Sequence, residues 1–226
     1  MNFCALSIST FFNENVFQSD IFTKIDAAVY SFVDSIASPA LDGIFEVITH
    51  LGDTPGIIWF VLGIILLIPK KTRKLGICLF AGLAFSSLIT NVILKNILER
   101  PRPYEDVIAP IWEAVGYKYE WPGILAEKST SFSFPSGHAT SSVGAGFGLL
   151  LACRKKYLAI GIPAFILSLA IAFSRIYVKI HYPTDVIAGT IVGLLAAAVI
   201  YFVFDLLVFK KAIPALERKI NKKIID

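Results

Sequence analysis

The stretch "VIAGTIVGLLAAAVIYFVF", Val186 to Phe204, runs for nineteen residues without an Asp, Glu, Lys or Arg. At about 1.5 Å of rise per residue such a helix measures roughly 28 Å, close to the ~30 Å hydrocarbon thickness of a bilayer. Working outward, four more stretches share the property: Thr54 to Pro69, Leu75 to Leu94, Ala139 to Cys153, and Tyr157 to Ser174. The shorter ones reach spanning length once uncharged or interfacial flanks are included. The predicted fold is therefore all-α, a polytopic transmembrane helix bundle of five spans, with a sixth left open.

Composition agrees. Of 226 residues, 56% are hydrophobic and 17% charged, and the mean hydropathy is +0.70, an apolar excess that a small soluble globule has no room to bury. One membrane-embedded domain over 1–226 is expected, divided into an amphipathic segment 1–50, a transmembrane core 51–209 and a basic cytoplasmic tail 210–226. Cys4, Cys78 and Cys153 are odd in number and lack metal-ligand spacing, so Cys78 and Cys153 read as small hydrophobes. The opening "MNFCALSISTFFNEN" has no basic n-region and reads as no cleaved signal peptide.

Basic residues set the orientation, because Lys and Arg in short loops stay in the cytoplasm. Lys70, Lys71, Arg73 and Lys74 follow the first span; Arg154, Lys155 and Lys156 follow the third; Lys210, Lys211, Arg218, Lys219, Lys222 and Lys223 follow the fifth. All three segments fall on one predicted cytoplasmic face. The formal net charge of +4 is then a topology and headgroup signal, which argues against nucleic acid as a partner. Ahead of the spans, Ile25, Val29, Phe32 and Ile36 recur at helical spacing beside Asp26 and Asp34. After Pro39, Leu41, Ile44, Phe45 and Ile48 resume the period beside Asp42 and Glu46. Two amphipathic helices at the outer interface are expected, since a further span would bury several carboxylates.

Three chemically loaded segments then share the outer face. In "KNILERPRP", Lys95 to Pro103, Pro101 stops the helix so that Lys95 and Arg102 can turn toward one point; taken alone, they equally fit snorkelling cations. In "PSGH", Pro135 to His138, Ser136 is an N-cap and Gly137 allows close backbone approach, which makes the helix start an anion site, with a plain capped start as the competing reading. In "SRIYVKIHYPTD", Ser174 to Asp185, Pro183 opens a helix that brings Asp185 near His181, and a carboxylate on one ring nitrogen leaves the other free as a nucleophile. Arg175 suits a phosphate clamp. Tyr177, Lys179 and Tyr182 read as an interfacial belt, and His50 as interfacial filler. A metal on His138, His181 and Asp185 is disfavoured because Lys95, Arg102 and Arg175 repel a divalent cation and attract an oxyanion.

These segments resemble the signature of the type 2 phosphatidic acid phosphatase superfamily: K-x6-RP at Lys95 through Arg102 and Pro103, PSGH at Pro135 to His138, and SR-x5-H-x3-D at Ser174 through His181 to Asp185. The resemblance spans the second to fifth apolar runs, and "LDGIFEVITHLGD", Leu41 to Asp53, is similar to the run-in of small bacterial members acting on undecaprenyl pyrophosphate or phosphatidylglycerol phosphate. It implies that His181 attacks phosphorus to give a phosphohistidine, Asp185 orients it, and His138 protonates the leaving oxygen and later helps activate water. Lys95, Arg102, Ser136, Gly137 and Arg175 would hold the phosphoryl oxygens, with no metal or other cofactor.

The implied partner is a lipid phosphate, best matched by undecaprenyl pyrophosphate, with phosphatidylglycerol phosphate or phosphatidic acid as alternatives. The implied location is a bacterial plasma membrane with the active site on the extracytoplasmic side. The apolar chain argues against the soluble haloperoxidases of the same superfamily, and a non-catalytic lipid-binding protein is the reading from another class. The aromatic loop Tyr104 to Phe134 is expected to cap the bundle and shape a lateral opening for the lipid.

Overall fold

The computed structural model describes residues 3–53, 56–124 and 129–207, and all regular structure among them is helical. The basic tail with Lys210, Lys211, Arg218, Lys219, Lys222 and Lys223, and the first two residues of the first predicted span, lie outside the described residues. The helices are α1 (Phe3–Phe12), α2 (Asp20–Ile36), α3 (Pro39–Leu51), α4 (Ile57–Leu67), α5 (Arg73–Leu88), α6 (Lys95–Leu98), α7 (Ala109–Ala114), α8 (Gly137–Ala152), α9 (Leu158–Tyr177) and α10 (Pro183–Val203). A π-helical stretch, Ile89–Leu94, joins α5 to α6 without a break.

Among the described residues, three continuous helices are long and apolar enough to cross a bilayer: Arg73–Leu98, Lys155–Tyr177 and Pro183–Leu207. The expectation of five spans is met only in part. α4 has 11 helical residues. α8 has 16 and buries ten of them, because it stands in the middle of the bundle with α5, α9 and α10 packed around it. A helix walled by protein has no need of lipid-soluble side chains, so α8 carries Thr140, Ser142 and four glycines where the peripheral helices carry Ile and Leu. Close approach to α8 makes a glycine obligatory on each of two neighbours: a methyl group on Gly82 of α5 would strike the Gly144 carbonyl, and one on Gly193 of α10 would sit 2.7 Å from the Thr140 carbonyl oxygen. Outward faces are apolar, as in the stripe Ile187, Ile191, Leu195, Val199 and Phe202 along α10, which suits contact with hydrocarbon.

The basic loops assemble as expected. Lys71 and Lys74 lie beside Arg154 and Lys156 around one surface cavity, at the opposite end of α8 from Gly137.

The N-terminal segment differs from the expectation. Along α2 the buried face holds Thr23, Asp26, Ala27, Tyr30 and Val33, while Ile21, Ile25 and Phe32 point outward. Asp26 is fully buried against Arg100, at 2.9 Å. Of the carboxylates that argued against a further span, Asp26 is thus neutralised inside the protein, Asp34 and Asp42 reach Lys179 and Tyr177, and Glu46 is exposed. Tyr177, Lys179 and Tyr182 are buried as well and form no interfacial belt. Lys179 pairs with Asp34 at 2.5 Å, Tyr182 lies flat against Arg100, and Tyr177 stacks on Phe45.

Candidate active site

Each signature segment reaches the same cavity of about 510 Å³ at one end of the bundle. Its walls include Lys95, Arg102, Gly137, His138, Arg175 and His181, together with Phe60, Leu83, Ala84 and Ser87 from α4 and α5.

Lys95 arrives at the end of the α5–α6 rod. Its Nζ donates to the Phe132 carbonyl at 2.8 Å. Glu99 then turns the chain through a left-handed conformation, and the prolines at 101 and 103 prevent helix from resuming. Arg102, only 2% exposed, spreads its fork over the loop and the nucleophile turn. Nε donates to Ser131 O at 2.8 Å, Nη1 to Ile180 O at 2.8 Å, and Nη2 to the hydroxyls of Ser129 and Ser131 at 3.0 Å each.

His181 sits in the turn between α9 and α10. Arg102 Nη1 lies 3.0 Å from its Nε2. A guanidinium only donates, so Nε2 is the unprotonated nitrogen and Nδ1 carries the hydrogen. That hydrogen faces Asp185 Oδ2 at 3.3 Å. Asp185 is itself held firmly: Oδ1 accepts from Arg100 at 2.6 Å, and Oδ2 accepts from Tyr182 N at 3.1 Å and from the Ser133 hydroxyl in a short hydrogen bond. Burial pushes the His181 imidazole well below its ordinary range, and the charge of Arg102 pushes the same way. Below the turn, Tyr30 of α2 donates to the His181 carbonyl at 2.8 Å.

The second segment behaves as its residue types dictate. The Ser136 hydroxyl caps α8 by accepting from Ala139 N at 3.4 Å, and its own N–H donates to Asp185 O at 3.1 Å. Ser136 is fully buried and is absent from the cavity wall; it takes the N-cap position expected for it and aims the helix start. Gly137 and His138 do line the cavity. Arg175 comes from α9; its Nη1 donates to Thr49 Oγ1 at 2.5 Å, and its Nε–H is buried without a partner. An unmatched donor beside two further cations is a vacancy shaped for an oxyanion. Among the described residues no group of three or more His, Cys, Asp or Glu could hold a metal ion.

The pattern of charges along the sequence identifies the principal cations and imidazoles, but several partners come from elsewhere. Asp26 and Arg100 were in view only as an interruption of a helical period and as a neighbour of Arg102. Ser133 preceded the "PSGH" segment without a motif of its own. His50 has a partner after all: its Nδ1 lies 2.6 Å from Asp53 Oδ2, and Asp53 Oδ1 lies 2.9 Å from His138 Nε2.

The family profile described as PAP2 superfamily matches residues 75–208. The chain belongs to the PAP2 superfamily. Its named relatives are phosphatases, and three helices among the described residues are apolar and long enough to cross a membrane. Similar PAP2 proteins include an undecaprenyl-diphosphatase of Sulfolobus acidocaldarius, 32% identical over 60% of this chain and 58% of its own length. The chain thus spans less than two thirds of that relative. A lipid A 4'-phosphatase of Bacteroides thetaiotaomicron is 26% identical over 81% of this chain and 79% of the relative. Among solved PAP2 folds, the transmembrane phosphatidylglycerolphosphate phosphatase of Bacillus subtilis superposes with a TM-score of 0.65 at 23% identity, covering 92% of this chain and 100% of the other.

Proposed function

We propose that the protein hydrolyses a lipid phosphate or diphosphate through a covalent phosphohistidine on His181, on the extracytoplasmic side of a bacterial plasma membrane. The carrying observation is the His181 ring, with Nδ1 turned to Asp185 and Nε2 to Arg102 inside a cavity walled by Lys95 and Arg175. Nε2 attacks phosphorus as Arg102 transfers to the phosphoryl oxygens, joined by Lys95, Arg175 and the Gly137 end of α8. Donors fixed in advance at the places where charge develops lower the barrier without reorganisation. His138 gives a proton to the leaving oxygen, then takes one from the water that cleaves the phosphohistidine.

Two features support a substrate with its tail in the bilayer. The cavity is lined on one side by Phe60, Leu83, Ala84 and Ser87, which supports a lateral opening between α4 and α5. The aromatic loop, by contrast, contributes only Ser129 and Ser131 to the wall among the described residues; its Trp112, Tyr117 and Tyr119 pack over Tyr30 of α2 instead. The loop therefore acts as a brace for the nucleophile turn, and the lateral opening is assigned to α4 and α5. The basic loops at the far end of α8 support the assignment of the cavity to the outer face.

Undecaprenyl pyrophosphate is the substrate proposed, on the strength of the Sulfolobus relative's name. Phosphate release from purified protein, compared across undecaprenyl pyrophosphate, phosphatidylglycerol phosphate, phosphatidic acid and lipid A, tests the choice. His181→Asn tests the chemistry: turnover falls to background, and rapid quenching with labelled lipid phosphate finds an acid-labile phosphoryl group on wild-type protein and none on the variant. Near-normal release from the variant overturns the mechanism.

A further inference from the structure

We propose that Asp53 is the positioning residue of His138, so that the cavity works with two carboxylate–imidazole pairs, His181–Asp185 on one wall and His138–Asp53 on the other. The inference rests on the acid role given to His138 above and adds a residue from outside all three signature segments.

Geometry carries it. Asp53 sits in the turn after α3 and reaches across to α8, with Oδ1 2.9 Å from His138 Nε2. Its other oxygen is 2.6 Å from His50 Nδ1, so the carboxylate is held from both sides. The residue before it is shaped for the same contact: a Cβ on Gly52 would come within 2.9 Å of His138 Cδ2 and 2.6 Å of Ile171 Cγ2. Any side chain there would push the turn off the imidazole. The backbone angle at Gly52 is an ordinary φ of −91°, which makes space the reason for glycine at this position.

The chemical consequence follows from the inventory of ring nitrogens. A carboxylate facing Nε2 keeps a proton on that nitrogen. Nδ1 is then the atom that meets the leaving group. With both nitrogens protonated, Nδ1–H passes to the leaving oxygen while the bond from phosphorus to that oxygen breaks and the bond from His181 Nε2 to phosphorus forms. His138 is left neutral, still donating Nε2–H to Asp53. In the second half the attacking water gives its proton to Nδ1 and restores the imidazolium.

Electrostatics explains why a second carboxylate is needed. Lys95 at the end of α5 and α6, Arg102 beyond it, Arg175 of α9 and His181 of the next turn line the cavity with His138. Burial and the charge of Arg175 push the His138 imidazole down to about 4, and Asp53 supplies the charge that opposes them, with His50 behind it at the rim. The hydrogen bond from His138 holds the Asp53 carboxyl down at about 2, with His50 contributing in the same direction, so Asp53 is an anion throughout any working pH range.

The test is Asp53→Asn, which keeps shape and removes charge, assayed on two phosphate esters. A lipid phosphate has an alkoxide leaving group that needs the proton; p-nitrophenyl phosphate leaves without one. On the order of 10–100-fold should be lost in kcat/KM on the lipid, within the range for general acids, and no more than a few-fold in kcat/KM on p-nitrophenyl phosphate, because kcat/KM reports the steps through leaving-group departure and not the later attack of water, which both esters share. The ratio of the two rates is read within each variant, so a lower yield of folded protein cancels. His138→Ala must show the same pattern for the acid role to stand, and adding Asp53→Asn to it should cost nothing further. If His138→Ala slows both esters equally, the acid reading itself fails. If His138→Ala discriminates and Asp53→Asn does not, or slows both alike, the acid reading stands and the assignment of Asp53 is overturned.

Discussion

Arg102 Nη1 lies 3.0 Å from His181 Nε2, the one ring nitrogen that Asp185 leaves free. Arg102 thus covers the nucleophile with a cation, and a phosphoryl group would uncover it by offering that cation better acceptors. Arg102→Lys retains the charge but loses the planar fork. It is expected to lower kcat/KM by about 10²–10³, the cost of removing a positioned transition-state donor. Steady-state kinetics on detergent-solubilised protein measures this, and a loss under tenfold would mean that Arg102 has no clamping role.

Burial and the neighbouring cations hold the His181 imidazole below its ordinary range, and the direction of the effect sets the pH profile. The neutral ring is the reactive form. The acid limb of kcat/KM, after division by the substrate's own phosphate ionisation, should therefore fall below the ordinary histidine value of about 6.5. Lys95→Met removes one repelling charge and should move the limb upward. Stability follows the same sign: below about pH 6.5 the unfolded chain takes up a proton that folded His181 refuses, so stability declines as pH drops toward the folded value. A limb at or above 6.5 in the wild type would contradict the depressed imidazole.

Asp26, Arg100 and Asp185 form a buried chain of charges, with Arg100 2.9 Å from Asp26 and 2.6 Å from Asp185. Asp26 also accepts from the Thr184 N–H at 2.8 Å, so the N-terminal helix α2 is pinned to the start of α10, which carries Asp185. Asp26→Leu strands half of this array and should cost about 3–5 kcal/mol, visible as a lower midpoint in thermal unfolding. The double variant Asp26→Leu with Arg100→Met removes both charges and should recover part of the loss. Additive losses would show that the two groups are not coupled.

Much of the bundle and the cavity was legible in the sequence because both depend on local chemistry. Charge-free stretches marked α5, α9 and α10, and the spacing of Lys95, Arg102, His138, Arg175 and His181 placed them all on one wall system. α4 and α8 were legible as apolar stretches without being long helices. A central helix such as α8 obeys packing against Gly82 and Gly193, and hydropathy does not register that. Asp26 and Asp53 were misjudged or missed for a common reason. Each acts on a partner more than seventy residues away, Arg100 at |i−j| of 74 and His138 at 85, so no local period or motif reports it. The role of the aromatic loop was misjudged likewise, because interfacial aromatics and aromatics stacked on Tyr30 have the same composition.

The opening proposed between α4 and α5 would separate chemistry from tail recognition, and a bulky residue there should affect only the second. Ala84 and Ser87 line the cavity on the α5 side, eleven and eight residues before Lys95 along the same helical rod. Ala84→Trp fills the passage with an indole while leaving every polar group in place. A long-chain lipid phosphate must then hold its head in the cavity with its tail displaced, and orientation lost at a distance from phosphorus is expensive in rate. The expected result is a fall of at least tenfold in kcat/KM for the lipid, mainly through KM, with p-nitrophenyl phosphate hydrolysis within about two-fold of wild type. Measuring both esters on one preparation decides the matter. Equal losses would place the tail elsewhere, and an unchanged lipid rate would show that the chain never passes between these helices.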